Sequence, residues 1–156
     1  MREYGWDSSR DAYVFGINSR LDEIQASILY VKLSHLDEDN NDRIRAAEFY
    51  MNTINNPEVT LPKNIKHSHH VYHLFVLRIA SGREDFINYL KQNEIIAGIH
   101  YALPVHKQTY YKKFADSQSL EITEKVASDV VSIPIYQGIK QEDLDKVAKT
   151  INNYKV

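Results

Sequence analysis

The chain has 156 residues, a formal net charge of -2 at pH 7, 43% apolar residues and no cysteine. Its length fits one globular domain, and the lack of cysteine excludes disulfides, cysteine metal sites and cysteine nucleophiles. The near-neutral charge provides no field for nucleic acid or anionic lipid, and no apolar run reaches the ~20 residues of a membrane span. We therefore expect a soluble cytoplasmic protein with neither a nucleic-acid nor a membrane partner.

A long helix is the first regular element predicted. Its apolar residues recur at spacings of three and four, as in Leu21, Ile24, Ile28 and Val31. Ser19 stands three residues before Asp22 and predicts a capping box at the helix start. A charged stretch at 37–42 interrupts the pattern, which then resumes, so one bent helix or two helices should end before Pro57. Apolar residues lie on more than one stripe, so a partner chain or further sequence should cover them.

The remainder of the chain predicts a small mixed α/β fold. Residues 71–79 are rich in β-branched and aromatic side chains and predict a strand, and residues 95–101 predict a second. A helix introduced by Gly82 lies between them, and this order indicates a small sheet covered by helices on one face. The other predictions are helices over 105–114, 121–131 and 142–151, and a short extended piece at 132–135.

Histidines at 67, 69, 70 and 73 form the densest polar cluster in the sequence. Imidazoles at short spacings can ligate zinc or nickel. In a strand, however, His69 and His73 point to one side and His70 to the other, and no carboxylate lies nearby in sequence. We therefore predict a polar loop leading into a strand and no metal site.

His100 and Tyr101 end the second predicted strand, just before a turn at Pro104. Polar side chains at such positions often contact ligands, but aromatic residues are as often part of the core. The residues alone leave both interpretations open.

Residues 16–20 precede the long helix and form the third candidate site. Free amides, Asn18, Ser19 and Arg20 would meet where a helix dipole favours an anion, so a phosphate would fit there. The alternative is an ordinary helix cap, which is the commoner use of Asn and Ser.

Short blocks with a recognisable order span nearly the whole chain. They are Arg2-Glu3-Tyr4-Gly5-Trp6, 16–26, 33–37, 70–75, 98–101, 104–106, Thr123-Glu124 and 132–136. In this order they resemble the DegT/DnrJ/StrS family of pyridoxal-phosphate-dependent sugar-nucleotide aminotransferases, and within it the enzymes that aminate a dTDP-linked 3-keto-6-deoxyhexose.

The resemblance implies a type I aminotransferase fold, in which a large cofactor domain precedes a small C-terminal domain and two subunits form a dimer. It divides this chain into a remnant of the large domain at 1–17, a connecting helix or helices at 18–56, and the small α/β domain at 57–156. In the family, the lysine that holds the cofactor lies before the block matched by Arg2 to Trp6. The resemblance therefore implies no catalytic residue in this chain and no covalently bound pyridoxal phosphate, although the whole protein would use that cofactor.

Residue by residue, the resemblance assigns Asn18 to the cofactor phosphate in the neighbouring subunit, with Arg20 and Tyr13 beside it. It places His100 and Tyr101 at the nucleotide-sugar pocket. Ala102 follows Tyr101 where many relatives have proline, so the loop departs from the family pattern.

The function implied is that of the C-terminal part of an enzyme that transfers an amino group, with glutamate as donor, to a keto-sugar nucleotide in deoxysugar or lipopolysaccharide biosynthesis. Two alternatives remain open. One is a stand-alone dimeric binding or regulatory module derived from the family. The other is an inactive subunit that donates Asn18 to a complete partner.

Overall fold

The computed structural model of the chain describes residues 15–114 and 119–155. It divides into two compact units, Met1–Asp37 and Glu38–Val156. Tyr13 and the block from Arg2 to Trp6 lie outside the described residues. Within those residues, no helix combines the length and the apolar character needed to span a membrane.

The first unit contains helix α1, Glu23–Leu33, which has no buried residue. Asp22 is its N-cap, without a side-chain hydrogen bond, so the predicted capping box is wrong because the helix begins later than the pattern indicated. Its exposed apolar side chains include Ile24, Ile28, Leu29, Val31 and Leu33. The stripe predicted from the sequence is therefore present, and nothing in the described chain buries it.

Helix α2, Leu36–Thr53, follows after a turn at Ser34 and His35. The charged stretch at 37–42 lies within this helix and does not interrupt it. Ala46, Ala47 and Tyr50 are buried in the core of the second unit. Burial raises the pKa of Tyr50, whose hydroxyl donates to the carbonyl oxygen of Pro134 at 2.9 Å.

A three-stranded antiparallel sheet forms the centre of the second unit, in the order β1, Val59–Thr60; β2, Phe75–Ile79; and β3, Val130–Ile133. The predicted strand at 71–79 begins only at Phe75 because Tyr72 has a left-handed φ of 49° and donates its amide to His70 Nδ1 at 2.8 Å. The predicted strand at 95–101 was largely wrong. A single bridge joins Gly98 to Ser132, and the chain then turns at 100–103.

The two faces of the sheet have different neighbours. Phe75 pairs with Ile133 and Leu77 with Val131, and these buried side chains form one face of the core. Three helices pack on that face: α2, α3, Arg83–Gln92, and α5, Gln141–Asn153, which contribute among others Tyr50, Phe86, Leu90, Val147 and Ile151. The expected mixed α/β small-domain fold is confirmed.

Because side chains alternate along a strand, Arg78, Val130 and Ser132 lie on the opposite face. Helix α4, Glu121–Asp129, meets this face through Asp129, which accepts from Arg78 at 3.3 Å and Lys125 at 2.8 Å. Helices therefore lie on both faces of the sheet, and the prediction that they cover one face is wrong. Burial raises the pKa of Asp129, but its hydrogen bonds outweigh that effect and leave it below the ordinary value. This opposite face also carries the candidate site.

Candidate functional site

A pocket of about 640 Å³ lies between α4 and the chain segment at 100–114. We call residues 101–114 the pocket loop. Most of the lining is apolar and includes Leu103, Val105, Phe114, Leu120, Val126 and Val130. His100, Tyr101 and His106 supply polar groups. An apolar concavity with few polar groups is typical of small-molecule sites, whose volumes are about 300–1,000 Å³.

His100 is held at this pocket by the sheet. Its Nδ1 lies 2.9 Å from the Ser132 hydroxyl oxygen, and Ser132 exchanges two backbone hydrogen bonds with Gly98 at 2.9 and 2.7 Å. A Cβ atom at Gly98 would stand only 2.9 Å from His100 Cε1, so a glycine is needed for the ring to lie where it does. The Nε2 atom makes no hydrogen bond to a described residue and can contact a ligand.

Tyr101 follows directly and is 74% exposed. Its ring meets that of His100 edge to face, with 5.5 Å between centroids. The peptide bond between the two residues is cis. The structure therefore brings the two residues predicted to contact substrate together at one pocket, with polar tips available to a bound molecule.

The pocket loop was predicted to be helical at 105–114, but it contains two short 3-10 turns, Val105–Lys107 and Lys112–Phe114. Gln108 is extended, with ψ of 140°, and ends the first turn. Tyr110 and Phe114 flank Lys113, whose Nζ lies 4.2 and 4.9 Å from their ring centroids. Tyr111 and Phe114 line the pocket, so this loop forms one wall and α4 forms the other.

Glu124, in the first turn of α4, contacts two residues of the pocket loop. Its Oε1 lies 3.1 Å from His106 Nε2 and its Oε2 lies 2.7 Å from Lys107 Nζ. Hydrogen bonds from Lys107 and His106 lower the pKa of Glu124 from 4.5 to about 2. No sequence pattern indicated a role for these residues, although two of the ordered blocks end at His106 and Glu124.

Asn18 and Arg20, the predicted cofactor residues, are both exposed and lie in the first unit. Helix α1 begins at Glu23, with acidic residues at its N-cap and first position. The helix dipole acts within the first turn and does not extend to Asn18. The dipole therefore does not favour an anion at Asn18. The assignment of both residues stays a prediction from the family resemblance. Tyr13, the third, lies outside the described residues.

Within the histidine cluster, His70 contacts Tyr72 of the same loop. The ring of His70 lies 4.2 Å from that of Tyr72, centroid to centroid, and its Nδ1 accepts the Tyr72 amide. Tyr72 is buried and its hydroxyl bonds to Asn64. Over residues 15–114 and 119–155, no three His, Cys, Asp or Glu side chains are placed to hold a metal ion.

Every lysine of the chain lies within the described residues, and each is exposed. A lysine that forms an imine with a cofactor must be deprotonated, which usually requires a desolvated site or a cationic neighbour. The lysines here have well-hydrated surroundings and are suited to ion pairs, such as those of Lys107 and Lys146.

Comparison with known proteins identifies the relatives of this chain. The family model described as the DegT/DnrJ/EryC1/StrS aminotransferase family matches residues 1–152. The dTDP-3-amino-3,6-dideoxy-alpha-D-galactopyranose transaminase of Aneurinibacillus thermoaerophilus is 41% identical over 99% of this chain and 42% of its own length. The erythromycin biosynthesis sensory transduction protein EryC1 of Saccharopolyspora erythraea is 35% identical over 97% of this chain and 42% of its own length.

A solved structure agrees with the sequence relatives. The crystal structure of S. venezuelae DesV in complex with a ketimine intermediate matches with a TM-score of 0.86 and 29% identity, covering 97% of this chain and 41% of that one. The chain thus spans about two-fifths of the length of each of these relatives.

Proposed function

Because the chain belongs to the DegT/DnrJ/EryC1/StrS aminotransferase family, as the ordered blocks predicted, we propose that it is the small-domain part of a sugar-nucleotide aminotransferase. The whole protein would transfer an amino group, with glutamate as donor, to a dTDP-linked keto-deoxysugar. The name of the Aneurinibacillus relative, a dTDP-3-amino-3,6-dideoxy-alpha-D-galactopyranose transaminase, supports this substrate class. The chain spans 42% of that relative, so the activity is proposed for the whole protein.

The pocket at His100 is the observation that carries this proposal. A nucleotide sugar presents a flat base, sugar hydroxyls and a diphosphate. The apolar lining would accept the flat parts, and the Tyr101 phenol and His100 Nε2 would donate to oxygen atoms. Gly98 and Ser132 orient the imidazole before the ligand arrives, which reduces the ordering cost of binding.

Pyridoxal phosphate supplies the electron sink that allows an amino group to move between carbon skeletons. From this chain, Asn18 and Arg20 would hold its phosphate, since both are exposed and carry N–H donors that phosphate oxygens accept. We propose that they do so in the site of a neighbouring subunit. The covalent anchor would come from elsewhere in the protein, because every lysine here is solvated.

A homodimer is part of this proposal. An isolated helix shorter than about 12–15 residues is marginal in water, and α1 has 11 residues, none of them buried. Its apolar side chains need tertiary or quaternary packing. We propose that the rest of the protein and a second subunit provide it.

A second candidate function is a dimeric regulatory module. The name of the Saccharopolyspora relative, a sensory transduction protein, favours it. The two functions differ in chemistry. The aminotransferase must convert a keto-sugar nucleotide, whereas a regulatory module needs only to bind its ligand.

Calorimetric titration of the chain with dTDP-glucose tests the pocket assignment. We expect saturable binding that is weakened about tenfold in His100→Ala, the equivalent of one good polar contact. His69→Ala is the matched control, since His69 is an exposed histidine outside the pocket. Equal affinity in His100→Ala and the wild type would remove His100 from the site.

A separate experiment tests the cofactor assignment. Addition of pyridoxal phosphate to this chain, followed by borohydride reduction and peptide mass spectrometry, should give no adduct concentrated at one lysine. A stoichiometric adduct at a single lysine would contradict the proposal that the covalent anchor lies elsewhere.

A further inference from the structure

One carboxylate accepts all the hydrogen bonds and ion pairs between the pocket loop and the other described residues. Its other hydrogen bonds are local, such as Gln108 N to Val105 O and Phe114 N to Tyr111 O. Every hydrogen bond or ion pair that joins residues 101–114 to the rest of the described chain ends on Glu124. The two donors are the side chains of His106 and Lys107.

Apolar packing adds little to the stabilisation of this loop. Val105, Tyr111 and Phe114 are all exposed, although they line the pocket. The loop also lacks a long helix or a strand that would fix its backbone. Among the described residues, the contacts at Glu124 are therefore the main restraint on the position of this wall.

The carboxylate is well placed to act as a restraint. Its two oxygens are used separately, with Oε1 accepting from His106 and from the Leu120 amide at 3.3 Å, and Oε2 from Lys107. The side chains of His106 and Glu124 are 15% and 27% exposed, so the contact is partly shielded from water and salt. Glu124 also lies in the first turn of α4, where the helix dipole favours a negative charge.

We propose that Glu124 is a positioning residue that fastens the pocket loop to α4 and so maintains the shape of the pocket. Without it, the loop would move away from α4, and Tyr101 would no longer be held beside the apolar lining. The restraint itself is a property of this chain. Its consequence for ligand affinity rests on the proposed nucleotide-sugar function.

Hydrogen exchange measured by mass spectrometry on the full chain tests the restraint. In Glu124→Gln, we expect peptides from 101–114 to exchange about tenfold faster, because the substitution removes a charge-assisted contact that limits local opening. Peptides from β2 and α5 should be unchanged. Glu121→Gln is the matched control, since it removes the same charge from the same helix turn and the Glu121 side chain has no hydrogen bond or ion pair to a described residue.

Two further variants separate positioning from general stability. Glu124→Asp keeps the charge on a shorter side chain and should recover part of the protection, and Lys107→Met, which leaves α4 intact, should lose part of it. Unchanged exchange in Glu124→Gln would overturn the proposal. Faster exchange throughout β2 and α5 would also overturn it, because Glu124 would then support the whole fold.

The affinity for dTDP-glucose provides the second readout. We expect the dissociation constant to rise in Glu124→Gln and to be unchanged in Glu121→Gln. If the wild type binds dTDP-glucose and Glu124→Gln binds it equally well, the link between the restraint and the pocket is overturned. A wild type that does not bind, with exchange in the loop raised in Glu124→Gln, would contradict the proposed function but support the restraint.

Discussion

The substitution Gly98→Ala should separate the placement of the His100 ring from the stability of the fold. The new Cβ atom would lie 2.9 Å from His100 Cε1, whereas carbon atoms pack best at about 3.5–4.0 Å. The ring must therefore retreat by roughly 0.6–1 Å. Its hydrogen bond to Ser132, now 2.9 Å long, does not tolerate a displacement of that size, because such bonds extend to only about 3.2 Å.

The expected change in the free energy of unfolding is small because two terms oppose each other. Loss of the hydrogen bond costs about 0.5–1.5 kcal/mol, and replacement of glycine by alanine gains about 0.4–1 kcal/mol by restricting the unfolded chain. The ring is exposed and can swing outward without breaking the core. We expect a net change within about 1 kcal/mol, together with a marked loss of ligand affinity.

Urea denaturation measures the free energy of unfolding, and calorimetry with dTDP-glucose measures the affinity. The imidazole NMR resonances of His100 show whether its ring has moved. Ser132→Ala is the comparison variant, because it removes the hydrogen bond without adding a Cβ atom at position 98. Gly98→Ala with native His100 resonances and affinity would refute the steric argument. A loss of stability above about 2 kcal/mol would instead show that the ring cannot move, as in an overpacked core.

Two further predictions concern the hydrogen bond of Tyr50 in the core and the pH dependence of the Glu124 contacts. Tyr50→Phe leaves the Pro134 carbonyl without its hydrogen bond and should lower the free energy of unfolding by about 1–3 kcal/mol in urea; an unchanged midpoint would show that water or another group replaces the hydroxyl. The pKa of Glu124 is depressed to about 2 from 4.5, so its stabilising effect is present above pH 4.5 and is lost as the pH falls through 2. The carboxyl carbon resonance should titrate near 2 in the wild type and return toward 4.5 in Lys107→Met, and a wild-type midpoint near 4.5 would contradict the contacts described.

The sequence predicted the elements whose pattern is set locally. Helices α3 and α5 have amphipathic spacing and lie where the pattern placed them, and the buried residues Phe86, Leu90 and Ile151 confirm their inner faces. The strand at β2 was predicted too long, because neither its alternating pattern nor its composition reveals the left-handed backbone of Tyr72.

The pocket could be predicted only in part. The ordered blocks pointed to His100 and Tyr101, and both line it. The contact between His106 and Glu124 joins residues 18 positions apart, and no helix or strand spacing predicts a contact at that separation. The same applies to Gly98, whose requirement for glycine arises from the position of a side-chain ring and not from a positive φ.

We propose that the pocket at His100 and Tyr101 receives a nucleotide sugar. Titration of the isotopically labelled chain with dTDP-glucose, followed residue by residue by NMR, tests it most directly. We predict saturable shift changes in His100, Tyr101 and the first turn of α4, with the core face of the sheet unchanged. Saturable changes confined to other surfaces, or no saturable change at all, would contradict the claim.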